Sequence, residues 1–285
     1  MDKDSTDPDT TGTSPVPPLG RSDGALSELA AFLRAKRSRA GLGRERVAVE
    51  ARISSNWYAR IEQARAPGLT EPTLHAVCEA LGLGTIERDH VKRLLASSRS
   101  GAERPPPGAD PVTVGRLVGE MRGAPAYVID RRWHIAAFND AAPILFEGLD
   151  ALEGRERHCL WQHYLNPRFR RALDAERDVL RYLTALFRRS TAGSAGTEWR
   201  ADLISGLAAR SPEFATIWEE QGLAEWGAVE KAFDHPGLGR LRFTNVSHEV
   251  STMEGETFRI VSYIPVEGSG TRERIAAALA GDGAE

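Results

Sequence analysis

The sequence predicts two domains of different class: an all-α domain of five helices, followed by an α+β domain with an antiparallel sheet. Three observations predict this. Short blocks with a helical hydrophobic period run through 26–96, a stretch rich in Pro and Gly interrupts the pattern at 97–111, and strand-like runs then flank a helical middle. A chain of 285 residues, 41% hydrophobic and 27% charged, is long and apolar enough to bury two cores of ordinary size.

Residues 1–24 carry no hydrophobic period and are rich in Asp, Thr, Pro and Gly, so a disordered tail is expected there. The helical domain is expected over 25–97. Its first helix places Leu29, Phe32 and Leu33 on one side after Ser27, a residue able to cap, and carries Lys36, Arg37 and Arg39 before Gly41 and Gly43 end it. A second helix, 44–51, buries Val47, Ala48 and Ala51. Arg52 and Ile53 turn the chain, and Ser54 caps a third helix whose Tyr58 and Ile61 face inward. The fourth, 70–81, aligns Leu74, Val77, Cys78 and Leu81, and the fifth, from about Thr85, aligns Val91, Leu94 and Leu95.

A linker is expected at 98–111, where five Pro or Gly residues precede Ala109. The second domain is expected over 112–266, and a C-terminal tail over 267–285. Strands at 126–130 and 133–138 form a hairpin around Arg131 and Arg132, and a helix starting near Asn139 or Asp140 aligns Ala141, Ala142, Leu145 and Phe146. Helices are expected across 167–189 and 198–221, and strands at 229–233, 241–246 and 258–264. Strands first, helices between and strands last predict helices packed on one face of an antiparallel sheet.

The net charge of −3 hides an asymmetry: residues 21–100 hold 14 Lys or Arg against 9 Asp or Glu, a net +5 that leaves −8 on the rest. A basic module on an acidic body is the pattern of a nucleic-acid reader, because the duplex backbone attracts the first and repels the second. No run approaches eighteen apolar residues and the first twenty are not basic then apolar, so neither a membrane span nor a signal peptide is expected and the reading is cytoplasmic. Cys78 and Cys159 stand far apart and read as core residues. No nucleophile with a base, acid and base pair or phosphate loop stands out, so no enzyme activity and no cofactor are expected. His158, Cys159 and His163 do not match a closed zinc site, Gly237 and Gly239 read as a turn, and His134, His235 and His248 as structural histidines, so no metal is expected either.

Two short helices joined at Arg52 and Ile53 have helix-turn-helix geometry, whose second helix presents its N-terminal half to the DNA major groove. Outward on that helix lie Ser55, Asn56, Trp57 and Arg60. With Ser54 and with Arg44, Arg46 and Arg65 beside them, they are the residues expected to bind DNA, by reading bases or gripping phosphates: Asn suits adenine and Arg guanine. VAVEARISSNWYARIEQARA, 47–66, resembles the lambda-repressor-like (XRE) helix-turn-helix family. Two positions depart from its pattern: Arg52 replaces the turn glycine and Ala64 the glycine after the third helix, so a strained or rearranged backbone is expected at both.

PAYVIDRRWHIAAFNDAA from 125 is similar to the opening of the ligand-binding domain of MmyB-like transcription regulators, as are LNPRFR from 165, SPEFATIW from 211 and HPGLGRLRF from 235. The resemblance implies a PAS-like fold with a pocket able to hold a fatty acid, a role in transcription regulation, and a homodimer. Tyr127, Trp133, Phe138, Trp161, Phe169, Phe187, Phe214, Trp218, Phe243 and Phe258 supply aromatic wall for such a small apolar ligand, with ordinary core packing as the alternative for each. A carboxylate head would call for an arginine, Arg170 first among Arg131, Arg132, Arg168 and Arg171. Three other readings stay open at this point: a constitutive DNA binder using the second domain for dimerisation or partner contact, a haem or flavin PAS sensor, and a protein-binding adaptor.

Overall fold

The computed structural model describes residues 21–99, 112–167, 170, 176–252 and 256–282, so 1–20 of the tail expected at 1–24 and 100–111 of the linker expected at 98–111 lie outside the described residues, while 21–24 and 98–99 belong to helices. Five helices open the chain: α1 (Arg21–Arg39), α2 (Arg44–Glu50), α3 (Ser55–Glu62), α4 (Glu71–Ala80) and α5 (Thr85–Arg99). Local chemistry sets their ends. Ser54 accepts the Trp57 amide at 3.1 Å at the start of α3, and Thr70 accepts the Thr73 amide at 3.4 Å before α4. At the C-termini of α1 to α4 one motif repeats, in which the left-handed residues Gly41, Arg52, Ala64 and Gly82 let the next amide reach back to a carbonyl of the last turn. Glycine occupies that backbone freely at two of the four turns, whereas Arg52 (φ 55°) and Ala64 (φ 58°) adopt it against their Cβ atoms, so the backbone is kept and strained rather than rearranged. Leu29, Phe32, Leu33, Val47, Tyr58, Ile61, Leu74, Val77, Leu94 and Leu95 meet in the resulting core.

The second domain starts with α6 (Val112–Gly119), then β1 (Ala126–Ile129) and β2 (Ile135–Phe138), the short α7 (Ala142–Leu145) and α8 (Cys159–Leu165). It continues through α9 (Glu176–Ser190), α10 (Glu198–Arg210), α11 (Pro212–Glu219), β3 (Val229–His235), β4 (Gly239–Ser251), β5 (Thr257–Pro265) and α12 (Thr271–Asp282). The five strands form one antiparallel sheet in the order β2-β1-β5-β4-β3, so the first hairpin is stitched to the last strand and β3 is an edge. Alternation along the strands sends Tyr127, Ile129, Phe233, Leu241, Phe243, Val261 and Tyr263 to one face, under the helices. The other face is not bare, since Val114 and Val118 of α6 pack there on Val128, Phe258 and Ile260.

Several expected boundaries shift for identifiable reasons. Trp133 sits at φ 68°, turned by Asp130, whose side chain accepts the amides of Arg132 and His134, so β2 starts at Ile135. Asn139 holds α6, β1 and α7 together, accepting from Ala126 and Ala142 and donating to the Met121 and Ala124 carbonyls. The helical run across 198–221 breaks at Ser211, which caps α11 through the Phe214 amide, because Pro212 has no amide to continue α10. Within the stretch expected as a C-terminal tail, α12 buries Ile275 in the sheet core.

The two domains pack directly. A turn of 3-10 helix, Ala192–Ser194, follows α9 and inserts Ala192 into the N-terminal core, where Ala195 is buried and Leu223 packs as well.

Candidate functional site

On the N-terminal domain, α3 is anchored by its last residue. The Glu62 carboxylate is fully buried and accepts Arg37 of α1 at 2.5 Å and Arg44 of α2 at 2.6 Å, while Arg34 of α1 donates to the Glu62 carbonyl at 2.6 Å. Burial alone would raise the Glu62 carboxyl, but the hydrogen bonds from Arg37 and Arg44 hold it below its ordinary value. Three helices are thereby tied at one carboxylate. Opposite this anchor, Ser55, Asn56 and Arg60 are exposed on α3 and Trp57 is half-buried, with the Arg60 guanidinium 5.4 Å from its ring. Arg60 also donates to the Arg65 carbonyl at 3.2 Å. The structure thus brings the sequence-predicted set to one surface but engages some of it: Ser54 caps the helix, Arg44 pairs with Glu62, and Arg46 pairs with Glu50.

On the second domain, a cavity of about 530 Å³ lies between α9 and the edge strand β3. Val179, Tyr182, Val229 and Ala232 give it apolar wall, and Asp178, Glu230, Arg240 and Arg242 give it charged margins. Lys231 also lines it. This lysine faces inward between Val229 and Phe233, is only 9% exposed, and holds its ammonium 5.6 Å from the Tyr263 ring. Burial pulls its pKa down to about 8, offset in part by the nearby Cys159. Around it the thiol of Cys159 is pushed up to about 11 by burial, and the buried hydroxyls of Tyr127 and Tyr263 are pushed well above the ordinary phenol value.

The sequence-predicted aromatics take other places. Tyr127, Trp133, Phe187, Phe214 and Phe243 are core side chains in ring contact with neighbours, such as Trp133 on Phe187 at 5.4 Å and Tyr127 on Phe146 at 5.9 Å. Trp218 stacks on Phe214 at 5.7 Å, and Phe138 packs at the core margin. Phe258 lies on the other face of the sheet, against α6. Trp161 lines a smaller cavity of about 220 Å³ with His134, Arg155, His158, Trp199, Asp202 and Leu203. Arg170 pairs with Glu213 at 2.9 Å, and Phe169, Arg168 and Arg171 lie outside the described residues. Lys231 was missed because a charged residue at an inward strand position contradicts the usual alternation. That contradiction, Val229-Glu-Lys-Ala-Phe233 with lysine in phase with Val and Phe, was the available signal.

A helix-turn-helix with an exposed α3 on one domain and a cavity beside a buried lysine on the other suit the class of regulators that couple a helix-turn-helix to a ligand-binding domain. Residues 28–91 match the family described as helix-turn-helix domain, and residues 111–279 match the MmyB-like transcription regulator ligand binding domain. The second match covers more than half of the chain, and the chain belongs to the MmyB-like transcription regulators. It is a ligand-responsive transcription regulator with a DNA-binding helix-turn-helix domain. No curated protein matches it. Among the described residues no helix is long and apolar enough to cross a membrane, and no group of three or more His, Cys, Asp or Glu is arranged to hold a metal ion.

Proposed function

We propose that α3 enters the major groove of a DNA operator, and that the cavity between α9 and β3 takes an elongated apolar molecule with an anionic head, of which a fatty acid is the simplest. Asn56 and Arg60 read bases, while Ser55, Arg46 and Arg65 grip phosphates and Arg44 supports them from its pair with Glu62. Two copies acting as a homodimer place two such helices about one helical turn apart on a palindromic site.

The observation that carries the ligand assignment is Lys231. A cation taken out of water is costly unless a counter-charge meets it, and an anionic head entering the cavity supplies one. The volume lies within the ~300–1,000 Å³ of ordinary small-molecule sites. Each buried methylene contributes about 0.8 kcal/mol, so a chain of a dozen offers roughly 10 kcal/mol before ordering costs, ample for micromolar binding. Native mass spectrometry of the full-length protein, followed by denaturing extraction, is expected to release an anionic amphiphile of discrete mass. Dodecanoate binding to the stripped protein is expected to weaken at least tenfold in Lys231→Met, which keeps the unbranched stem and removes the ammonium. Equal affinity in the two proteins would overturn the assignment.

A further inference from the structure

The two domains meet at a buried cluster of charge. Glu28 belongs to α1 of the DNA-binding domain, yet its carboxylate is held by two arginines of the ligand domain. Arg200 of α10 donates to both of its oxygens, at 2.6 and 3.0 Å, and Arg188 of α9 donates at 3.2 Å. The side chains of Arg188, Arg200 and Glu28 are 1%, 2% and 9% exposed, so the cluster is excluded from water. The arginines are themselves positioned: Arg188 lies 3.6 Å from the Trp218 ring and donates to the Trp218 carbonyl, and Arg200 donates to the Thr191 hydroxyl at 2.8 Å. Burial would raise the Glu28 carboxyl, but the guanidiniums of Arg200 and Arg188 reverse this and hold it well below the usual carboxylate range. Burial also draws Arg188 down to about 10, which leaves it a cation at neutral pH.

One helix joins this cluster to the cavity. Asp178, Val179 and Tyr182 in the first half of α9 form cavity wall, and Arg188 in its last turn holds Glu28, about 9 Å further along a rigid helix. Arg181, within the same cavity-wall stretch of α9, grips the Glu220 carboxylate through its Nε and Nη2, and Arg39 at the end of α1 donates to the Glu220 carbonyl. A displacement of α9 at the cavity is therefore carried to two contacts on α1, the helix whose Arg34 and Arg37 hold α3 through Glu62.

We propose that Glu28, Arg188 and Arg200 form an interdomain latch, opened when a ligand enters between α9 and β3 and moves α9. This rests on the reading of that cavity as the ligand site. A buried ion triad suits a two-state contact, because removing one partner strands the remaining charges and leaves no half-closed arrangement of low energy. If ligand opens the latch, linkage requires that breaking the latch tighten ligand binding, by at most the ligand's preference for the open state.

The test uses the full-length protein with spin labels at Val49→Cys and Glu273→Cys, both exposed, since Cys78 and Cys159 are buried. Electron–electron distance measurements on this protein are expected to give a narrow distribution that broadens with dodecanoate. Glu28→Gln is expected to broaden it without dodecanoate and to tighten dodecanoate binding at least fivefold. Should Glu28→Gln fold poorly, Gly24→Leu serves the same purpose. A Cβ at Gly24 would lie 3.2 Å from the Ala195 carbonyl oxygen, so leucine pries the domains apart without altering charge. A narrow distribution and wild-type dodecanoate affinity in both variants overturn the latch. Dodecanoate binding that depends on Lys231 but leaves the distances unchanged overturns the coupling and keeps the ligand site. Absence of dodecanoate binding, with both variants opening, sinks the ligand site and the coupling together, and leaves only a structural interface.

Discussion

Arg52 and Ala64 hold left-handed backbone conformations that cost an L-residue about 1–2 kcal/mol each, and they do so at the two turns that frame α3. Glycine relieves the strain but loses more entropy on folding, so Arg52→Gly and Ala64→Gly are each expected to raise stability by about 0.5–1 kcal/mol. Thermal unfolding checks this, and a loss of stability in both variants would contradict the strain. Both departures from a glycine pattern were legible in the residues. Lys231 was harder to see, because its role depends on which side of β3 faces the cavity. Its burial as a cation opposes folding at neutral pH, so Lys231→Met is expected to stabilise the ligand-free protein by roughly 2–3 kcal/mol while weakening ligand binding. Stability and affinity thus move in opposite directions, which separates a ligand-binding lysine from one that merely packs.

At the scale of elements, α3 is placed by what it bonds to on its inner side. Removing the Glu62 carboxylate as Glu62→Ala strands Arg37 and weakens the ties among α1, α2 and α3, an expected loss of about 2–3 kcal/mol. Because the damage starts in the N-terminal domain, dodecanoate binding is expected not to weaken while DNA binding fails. Calorimetric unfolding beside a ligand titration distinguishes this from a general defect. Arg60→Ala, in contrast, is expected to weaken operator binding with an unchanged melting temperature, and unchanged operator affinity would count against the reading of α3. Helix α12 illustrates how an element escapes notice: its apolar residues are mostly alanines, and the burial of Ile275 depends on where β4 runs.

Across the whole molecule, His90, His158 and His163 are buried as neutral rings, with burial lowering them to about 3, 3 and 4. The unfolded chain takes up protons at these rings near pH 6.5, whereas the folded chain resists until pH 3 or 4. Stability is therefore expected to fall as pH drops below 6.5, by up to about 1.4 kcal/mol per pH unit for each histidine. Glu28 acts in the same direction at lower pH: its folded value is depressed, so its contribution is present above the unfolded carboxylate value and lost as pH falls toward about 2. Melting temperatures that stay level from pH 7.5 to 5 would refute this account.

The residue pattern was sufficient for the five-helix domain, the turn at Arg52 and Ile53, the Ser54-capped third helix, the first hairpin and the antiparallel class of the sheet. Each of these follows from local periodicity, caps and turn chemistry, which act over a few residues. Folding was needed to pair β1 with β5, to place most of the candidate aromatics in the core, and to bring Lys231 to a cavity. It was needed as well to carry Glu28 to Arg188 and Arg200, 160 and 172 residues away. Such contacts join side chains distant in sequence, and nothing in the neighbours of Glu28 distinguishes a carboxylate bound for the interior from one left in water.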